Sequence, residues 1–341
     1  MTSRSDRGAA LRQFAVDALV DPQLEIAPAS ADASFRSYWR TRSNQGSHIV
    51  MDAPPAQEDM TAWLDVGARL RAAGLHAPQV LAVDDEHGFA LIEDLGNRTY
   101  LPELNGNTVD QLYSDALDAL IHMQIHVDVT GLPHYTETRL IDELELMPQW
   151  FLKAHLDFVP SCEQWDVIEA AFLLLVKSAL GQPSAFVHRD FHSRNLLVTP
   201  SHSPGIIDFQ DAVIGPITYD LVSLLRDCYI EWDEARVEGW MESHRERLLH
   251  AHLIGPEIDN SRLRRWFDLM GLQRHIKVLG IFCRLWYRDG KPQYLADLAL
   301  VWRYVIEVGQ RYPELQDFIS LLQHVVGTRD IVQPATTANA P

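Results

Sequence analysis

One loop constrains the fold and the chemistry of this chain more than any other stretch. Residues 187–198 read V-H-R-D-F-H-S-R-N-L-L-V, which is an H-x-D-x-x-x-x-N pattern between apolar runs. After a turn, residues 206–209 read I-I-D-F, a short apolar strand that leads into a second aspartate. Polar side chains at this spacing between strand-like segments are typical of a phosphoryl-transfer centre. The pattern therefore predicts a chain that moves a phosphoryl group.

Phosphoryl transfer assigns a task to each polar residue of this pattern. The acceptor hydroxyl must be oriented and must lose its proton, and a divalent cation must balance the charge of the phosphate oxygens. We expect Asp190 to act on the hydroxyl, with His188 bracing the loop beside it. Asn195 and Asp208 offer an amide and a carboxylate oxygen, which are hard ligands suited to Mg²⁺. The predicted catalytic residues are thus Asp190, His188 and Asn195, and the predicted metal ligands are Asn195 and Asp208.

Two simpler interpretations of the loop compete with this one. His188 and His192 would serve as half of a zinc site, or they are ordinary polar residues of a loop. A zinc site needs further ligands nearby, and the three cysteines lie far away in sequence, at Cys162, Cys228 and Cys283. The number of coincident matches around Asp190 favours phosphoryl transfer over both.

The composition excludes several classes of protein. At 341 residues, with 47% hydrophobic and 22% charged residues, the chain is long enough for two lobes with ordinary cores. Its net charge of −18 disfavours nucleic-acid binding, which depends on cations that face phosphates. No apolar run reaches the ~18 residues of a membrane span, and the polar start does not read as a secretory signal. The scattered cysteines indicate reduced thiols in a cytoplasmic protein. We expect a monomer with no nucleic-acid or membrane partner.

The N-terminal part of the chain carries the pattern of a small antiparallel sheet. Short β-type runs separated by turn signals predict five strands, at 24–27, 34–40, 47–51, 80–83 and 89–92. Turns are predicted at 28–32 and 44–46, and helices at 11–19 and 57–73. The prediction is a small N-terminal lobe, residues 1–96, with a five-stranded antiparallel sheet and one main helix.

The rest of the chain shows helical periodicity. Apolar residues repeat at helical spacing over 108–123, 140–156 and 162–180. Asp220 opens a further helix, where it either caps the first turn or braces the catalytic loop. A larger, mostly helical C-terminal lobe is predicted at 97–330, and the Ala, Thr and Pro rich tail at 331–341 is predicted to be disordered. The fold class is therefore α+β with two lobes.

Two stretches of the N-terminal lobe are candidates for nucleotide binding. The loop at 29–35, A-S-A-D-A-S-F, has small residues that let a backbone approach phosphate, although an ordinary hairpin explains it equally well when it is taken alone. The linker that follows the last strand offers backbone N–H and C=O groups to an adenine edge. The predicted nucleotide contacts are Ser30, Asp32, Ser34, Phe35, Met51, Glu93, Asp94 and Leu95.

A basic stripe is predicted on a long helix at about 262–287. Four cations repeat on one face, at Arg274, Lys277, Arg284 and Arg288, and an apolar stripe lies nearly opposite. The apolar stripe is predicted to pack inward, which leaves the basic stripe free to face solvent or a cleft. Such stripes are usually solvated faces, but the adjoining D-G-K-P turn adds a cation and favours an anion site. The predicted substrate contacts are Arg274, Arg284 and Arg288, with His192, Arg194 and Gln210 near the catalytic loop.

With these residues in place, the chain resembles the aminoglycoside phosphotransferase and choline kinase branch of the protein-kinase-like folds. The likeness covers about residues 24–321, and its most specific parts are H-R-D-F-H-S-R-N-L-L and I-I-D-F-Q-D. It implies a two-lobed kinase fold with ATP as co-substrate. It also implies that Asp190 is the base, that Asn195 and Asp208 hold Mg²⁺, and that residues 93–95 form the nucleotide hinge.

Within this family, four stretches are similar to bacterial kinases that phosphorylate the anomeric hydroxyl of free amino sugars in cell-wall recycling. They lie at 51–55, 92–96, 206–220 and 273–291. The resemblance implies an amino sugar as the acceptor. One departure concerns the nucleotide, because the family usually keeps a lysine on the third strand for the α and β phosphates and Met51 stands in its place. Either another cation, such as Arg36 or Arg40, replaces the lysine, or triphosphate binding relies on metal and backbone.

Two other functions stay open on the sequence alone. An aminoglycoside or small-alcohol, choline-like kinase would share the catalytic loop, but polycationic drugs need acidic pockets and the basic stripe disfavours one. A nucleotide-binding pseudokinase without turnover is suggested by Met51 and by the lack of glycines at 29–35. The intact set of Asp190, Asn195 and Asp208 opposes that reading.

Overall fold

A computed structural model describes residues 4–31, 35–44 and 46–334 of the chain. The backbone forms two compact units: unit 1 contains residues 1–128 and 194–212, and unit 2 contains residues 129–193 and 213–341. The predicted lobe boundary after residue 96 stays a prediction. The side chain of Ser30, and the whole of Asp32 and Ser34, lie outside the described residues. Residues 335–341 of the predicted tail lie outside them too.

Unit 1 is built on the five-stranded antiparallel sheet that the sequence predicts. The strands lie in the order β1-β2-β3-β5-β4. Their bounds are β1 (Glu25–Ala31), β2 (Ser37–Ser43), β3 (Gly46–Asp52), β4 (Val80–Asp84) and β5 (Phe89–Glu93). The turn predicted at 28–32 was wrong over residues 28–31, because β1 continues through Pro28 with a register shift there, and residue 32 lies outside the described residues. Pro28 is tolerated since β1 is an edge strand, where a residue without an N–H leaves the ladder intact.

One face of this sheet packs against the N-terminal helix α1 (Arg4–Leu19). Leu11, Ala15 and Leu19 of the helix form a buried cluster with Val50 and Leu91 of the sheet. The helix begins before the predicted residue 11. The sequence did not indicate its first turns because they are polar and carry no apolar periodicity. The other helices of unit 1 are α2 (Thr61–Ala72), α3 (Tyr100–Glu103) and α4 (Val109–His126).

A short hairpin completes unit 1. β7 (Leu196–Leu197) pairs antiparallel with β8 (Gly205–Ile206). Asn195 directly precedes β7 and Asp208 lies just after β8, and the N–H of Ile207 donates to the carbonyl of Asn195 at 3.1 Å. Neighbouring antiparallel strands therefore bring the two predicted metal ligands to the same end of the hairpin.

Unit 2 is mostly helical, as predicted. Its helices are α5 (Glu137–Leu144), α6 (Cys162–Leu180), α7 (Tyr219–Leu225), α8 (Glu234–His250), α9 (Asn260–Tyr287), α10 (Leu298–Gly309) and α11 (Gln316–Val326), and β6 (Ser184–Val187) pairs with β9 (Val213–Pro216). The helical prediction at 140–156 is confirmed in part: the segment is helical, but α5 ends at Leu144 and a π-helical segment, Met147–His155, follows it. Pro148 has no N–H, so the hydrogen-bond ladder of α5 cannot continue through it.

The long helix α9 corrects the predicted basic stripe. It packs against the π-helical segment, α6, α7 and α10, so its middle is buried on all sides. Arg274 and Lys277 are only 4% and 8% exposed. The prediction that the whole stripe is free to face solvent or a cleft was wrong, because buried hydrogen-bond partners hold these two cations inside the unit. Of the stripe, only Arg284 and Arg288 lie outside the buried part.

A close backbone contact fixes how α9 crosses the chain that precedes the π-helical segment. A Cβ atom at Gly280 would lie 2.3 Å from the carbonyl carbon of Leu146. No side chain fits in that space, so glycine is required for the two backbones to approach each other.

The fold class is confirmed as α+β, with a five-stranded antiparallel sheet and a mostly helical remainder. Within the part of the chain that the structure describes, no helix has both the length and the apolar composition of a membrane span.

Candidate active site

Unit 1 contains a cavity of about 480 Å³. Its walls come from β2, β3, the linker after β5 and the β7–β8 hairpin. The lining residues include Tyr38, Arg40, Ile49, Trp63, Ile92, Glu93, Asp94, Leu95, Arg194, Asn195, Asp208 and Phe209. The Trp63 and Phe209 rings pack with centroids 5.3 Å apart. A cavity of this size, with apolar walls and a few polar groups, suits a small-molecule ligand.

The linker after β5 is held in place by the Asp94 side chain. Arg40 donates two hydrogen bonds to this carboxylate, at 2.7 and 2.9 Å. The Ser47 hydroxyl and the N–H of Gly96 donate to it as well. Burial raises the pKa of Asp94, but these hydrogen bonds and the Arg40 charge outweigh burial and hold it below its ordinary value. The carboxylate thus fixes a wall of the cavity, and all three predicted hinge contacts, Glu93, Asp94 and Leu95, line it.

The two cations near Met51, Arg36 and Arg40, contact different carboxylates. Met51 is fully buried in β3 and brings no charge to the cavity. Arg40 is committed to Asp94, whereas Nη2 of Arg36 lies 3.9 Å from Oδ1 of Asp208. Arg36 is only 8% exposed. Of the two cations considered as replacements for the missing lysine, Arg36 is the one beside a predicted metal ligand.

Phe35, the last residue of the predicted phosphate loop, lies elsewhere. Its side chain is 65% exposed, and its N–H donates to Oε1 of Glu58 at 3.1 Å. It is not among the described residues that line the cavity. A phosphate contact from Phe35 stays a prediction without geometric support.

Asp208 is held by neighbours on both carboxylate oxygens. Asn195 Nδ2 lies 3.3 Å from its Oδ2, and Gln210 Nε2 lies 2.8 Å from its Oδ1. The backbone of Asp208 has a φ of +64°, a left-handed conformation that non-glycine residues adopt mostly where the surroundings impose it. The carboxylate is 33% exposed. It is therefore oriented and open to a ligand.

This donor set fits a magnesium ion that arrives with a nucleotide. Mg²⁺ commonly takes one or two protein oxygens and completes its octahedron with waters and phosphate oxygens. Asp208 supplies a carboxylate and Asn195 an amide, both hard oxygen donors. Across the described ranges, no group of three His, Cys, Asp or Glu side chains is arranged to hold a metal ion, so the zinc interpretation has no support.

In unit 2, the loop that carries Asp190 is braced by Asp220. This buried carboxylate, in the first turn of α7, accepts from the N–H of His188 at 2.6 Å and from that of Arg189 at 3.0 Å. The Nδ1 atom of His188 in turn accepts the N–H of Asp190 at 3.3 Å. Of the two roles that the sequence left open for Asp220, the structure shows the brace.

The charges near Asp190 favour its ionised form. Burial raises its pKa, but Lys277, His192, Arg274 and Arg189 outweigh burial and bring the pKa below its ordinary value. The N–H of His192 donates to the Asp190 carbonyl at 3.0 Å. A carboxylate that stays ionised at neutral pH can orient a hydroxyl and accept its proton.

The predicted substrate contacts fall into different environments. Arg274 is buried and donates to the Cys228 sulfur at 3.2 Å. Arg288 is exposed and forms two hydrogen bonds with Asp289, at 2.7 and 2.9 Å. Arg284 is half-buried, its Nε atom has no hydrogen-bond partner in the described structure, and burial lowers its pKa. In unit 1, Arg194 lines the cavity and Gln210 contacts Asp208.

Two carboxylates of unit 2 were missed in the sequence. Asp227, after α7, accepts from the N–H of Ser193 at 3.0 Å and from its hydroxyl at 2.5 Å. Glu143 of α5 collects several buried donors. A signal for Glu143 did exist, because it follows Leu140 by three positions on the apolar face of the helix, where a charged side chain needs a buried partner.

Comparison with known proteins identifies the family. A profile of the phosphotransferase enzyme family matches residues 25–255. The chain belongs to the phosphotransferase enzyme family. This phosphotransferase is 45% identical over 302 residues to the N-acetylmuramate/N-acetylglucosamine kinase of Pseudomonas aeruginosa, a match that covers 88% of each chain. It is 39% identical to the protein of the same name from Neisseria meningitidis, over 89% of this chain and 91% of that one.

Solved structures show the same fold for the phosphotransferase. The choline kinase LicA from Streptococcus pneumoniae matches with a TM-score of 0.62 at 13% identity, over 88% of this chain and 99% of that one. An ADP-bound aminoglycoside phosphotransferase matches with a TM-score of 0.58 at 14% identity, over 88% and 98%. The predicted kinship with this branch of kinases is confirmed, and the protein is an ATP-dependent phosphotransferase.

Asp220 gives the phosphotransferase an expected pH dependence. Burial raises the pKa of Asp220 to about 7, against the opposing hydrogen bonds from the N–H groups of His188 and Arg189. A protonated carboxyl cannot accept both of these bonds well, so kcat should fall about tenfold per unit as the pH drops below about 7. Asp220→Asn, which is always neutral, should be slow and should lack this limb. The measurement is kcat against pH for both proteins; an unchanged limb in the variant would assign the titration to a substrate.

The raised pKa of Asp220 also determines the direction in which the stability of the folded chain changes with pH. The folded chain holds the Asp220 proton more tightly than the unfolded chain, in which the carboxyl titrates near 3.8. The stabilising contribution of the protonated group is therefore complete below that value and is lost as the pH rises to about 7. Over this window, the Tm of the wild type should decline relative to that of Asp220→Asn.

Proposed function

We propose that this phosphotransferase is an ATP-dependent sugar kinase of peptidoglycan recycling. It phosphorylates the anomeric hydroxyl of N-acetylmuramic acid and N-acetylglucosamine to give the α-1-phosphates. The observation that carries the proposal is the 45% identity, over 88% of both chains, to a kinase named for these two sugars. A relative of the same name from Pseudomonas putida, 40% identical, supports it. The anomeric position and the role in recycling rest on the likeness of residues 51–55, 92–96, 206–220 and 273–291 to such kinases.

In the proposed reaction, Asp190 orients the acceptor hydroxyl and takes its proton. The hydroxyl oxygen bonds to the γ-phosphorus, the bond from that phosphorus to the bridging oxygen breaks, and ADP leaves. The low pKa of Asp190 makes it a weak base. An anomeric hydroxyl is more acidic than an ordinary alcohol, so orientation supplies most of the effect. His188 and Asp220 hold the loop while this happens.

Asn195 and Asp208 are the proposed magnesium ligands, together with phosphate oxygens of the nucleotide. Bound there, the ion would balance the charge on the phosphoryl oxygens. Gln210 keeps the carboxylate of Asp208 oriented through its 2.8 Å hydrogen bond. We also propose that Arg36 takes the place of the lysine that Met51 replaces, because its buried guanidinium is already beside Asp208.

The structure suggests which cation recognises the lactyl carboxylate that distinguishes N-acetylmuramic acid from N-acetylglucosamine. The sequence left Arg284 and Arg288 as alternatives. Arg288 already has Asp289 as its partner and is exposed to solvent, where a new ion pair contributes little. Arg284 is half-buried, so an incoming carboxylate that paired with its guanidinium would form a partly desolvated, charge-assisted contact. We propose Arg284.

The two arginines form a matched pair for a test of selectivity. Arg284→Gln should raise KM for N-acetylmuramic acid about 30-fold and leave KM for N-acetylglucosamine within about twofold, because only the former has the carboxylate. Arg288→Gln, one residue beyond the C-terminal end of the same helix, should change neither. Steady-state kinetics with both sugars measures this; equal effects of Arg284→Gln on the two sugars would give Arg284 a structural role.

The test of the function itself is a panel of acceptors. ATP consumption is measured with N-acetylmuramic acid, N-acetylglucosamine, choline and kanamycin, and NMR of the product locates the phosphate and its anomer. Turnover with the amino sugars and phosphate on C1 is the expected result. Faster turnover with choline or kanamycin would replace the sugar assignment, and no turnover with any acceptor would favour a pseudokinase.

We further propose that the enzyme works as a cytoplasmic monomer. Its three cysteines, Cys162, Cys228 and Cys283, are all free thiols in the structure, as in a reducing compartment. Light scattering of the purified protein tests the monomer.

A further inference from the structure

Glu143 lies at the centre of a buried network in unit 2, and none of the steps above uses it. It is 7% exposed and lies in the last turn of α5. Its carboxylate accepts hydrogen bonds from the Tyr135 hydroxyl and from Nη2 of Arg189. It also accepts from Nζ of Lys277 at 3.0 Å and from Nε2 of Gln273 at 3.3 Å. Four donors are all that one carboxylate can accept.

Two of these four donors are cations that act on Asp190. Arg189 is the residue before it in the chain, and Lys277 comes from α9. Burial raises the pKa of Asp190, and both cations lower it. Lys277 also donates to the Tyr219 hydroxyl at 3.2 Å. By fixing the positions of Arg189 and Lys277, Glu143 therefore contributes to the electric field at Asp190.

The backbone next to Asp190 needs an anchor. Arg189 has a φ of +77°, in the left-handed region that side chains rarely adopt. Such conformations persist only where the surroundings impose them. Asp220 holds the N–H of Arg189, Glu143 holds its guanidinium, and the Tyr135 ring lies under it with 5.6 Å from Cζ to the centroid. With the guanidinium released, the peptide that leads into Asp190 would be free to relax.

We propose that Glu143 is a positioning residue of the phosphoryl transfer. By holding Arg189 and Lys277, it fixes the direction of the Asp190 carboxylate and keeps the two cations in place beside it. The inference rests on the proposed role of Asp190, and on no particular acceptor. It predicts a loss in kcat with little change in KM, because a misdirected base slows the chemical step and leaves ground-state binding intact.

The test variant is Glu143→Gln, which keeps the shape of the side chain and removes the charge that holds the cations. We expect kcat to fall about 30-fold or more, with KM for ATP and for the acceptor within about threefold, since small misplacements of a reacting group cost rates of this order. Asp268→Asn is the matched control. Asp268 is 2% exposed and accepts from Arg264 at 3.0 Å, Arg311 at 3.3 Å and Tyr312 at 3.0 Å. This control breaks a comparable buried network and should leave kcat unchanged.

A second pair of variants separates charge from folding. Glu143→Gln alone leaves Lys277 as a buried cation that has lost its counter-ion, whereas Glu143→Gln with Lys277→Gln removes both charges. The double variant should therefore regain part of the Tm that Glu143→Gln loses, whereas its kcat should stay as low as that of Glu143→Gln, because neither Lys277 nor the hold on Arg189 is restored. Lys277→Gln alone should lower kcat about tenfold with KM maintained, because one of the held cations is lost.

Two outcomes overturn the inference. One is a kcat of Glu143→Gln equal to that of Asp268→Asn at a similar loss of Tm, which would give Glu143 a role in stability alone. The other is used if Glu143→Gln does not fold. In that case, a kcat of Lys277→Gln equal to that of the wild type overturns the inference. All rates are measured with an acceptor that the wild type phosphorylates. An error in the sugar assignment is then detected from the acceptors that the wild type phosphorylates. An error in the inference about Glu143 is detected only from the kcat values of the variants.

Discussion

Asp190→Ala should lower kcat about a thousandfold, because the acceptor hydroxyl loses both its orienting group and its proton acceptor. ATP binding should survive with a Kd within about threefold of the wild-type value, since the side chains that line the cavity all belong to unit 1. Single-turnover kinetics and calorimetry with a non-hydrolysable ATP analogue measure the two quantities separately.

Asp190→Asn is the companion to this variant. It keeps the size of the side chain and one acceptor oxygen, but it has no charge with which to take a proton. Recovery of more than about tenfold over Asp190→Ala would assign most of the effect to orientation. Wild-type turnover in Asp190→Ala would contradict the role given to this residue.

The second large effect is expected at Arg36. Arg36→Gln should lower kcat/KM for ATP about a hundredfold, equivalent to ~2.7 kcal/mol, because Met51 leaves the triphosphate without the usual lysine. Arg7→Gln is a matched control in unit 1. Arg7 forms a 2.5 Å ion pair with Asp52 and its guanidinium lies over the Phe89 ring, so its loss should affect Tm and not ATP kinetics. Equal kinetics of the two variants would mean that metal and backbone alone hold the triphosphate.

The sheet of unit 1 was predictable because each of its strands alternates or clusters apolar residues between turn signals. What the sequence could not show was where a residue typical of turns lies within a strand. Pro28 reads as a break, yet an edge strand tolerates it. The π-helical segment at Met147–His155 was also out of reach, because its side-chain pattern is close to that of an α-helix and only the backbone reveals the difference.

The centre of the site was predictable for a different reason. Asp190, Asn195 and Asp208 lie close together in sequence and in a fixed spacing, so a short pattern contains them. Glu143 and Asp227 act through partners that are distant in sequence, such as Lys277, and only the fold brings these together. For the four cations of the predicted basic stripe, a regular spacing in sequence led to a wrong prediction. The stripe was taken for one surface, but part of it is buried and part is accessible.

Gly280 marks the point where α9 divides, and this has a consequence for redesign. Upstream of it, Arg274 and Lys277 are buried, and at Gly280 itself the helix backbone lies against the backbone of Leu146, where no side chain fits. Downstream, Arg284 is accessible and does not share that contact. A protein engineer who wishes to broaden the range of acceptors should therefore leave the helix untouched through Gly280, keep the buried Phe282, Cys283 and Leu285 that follow it, and vary Arg284 and Arg288, where new side chains change recognition without moving the catalytic framework.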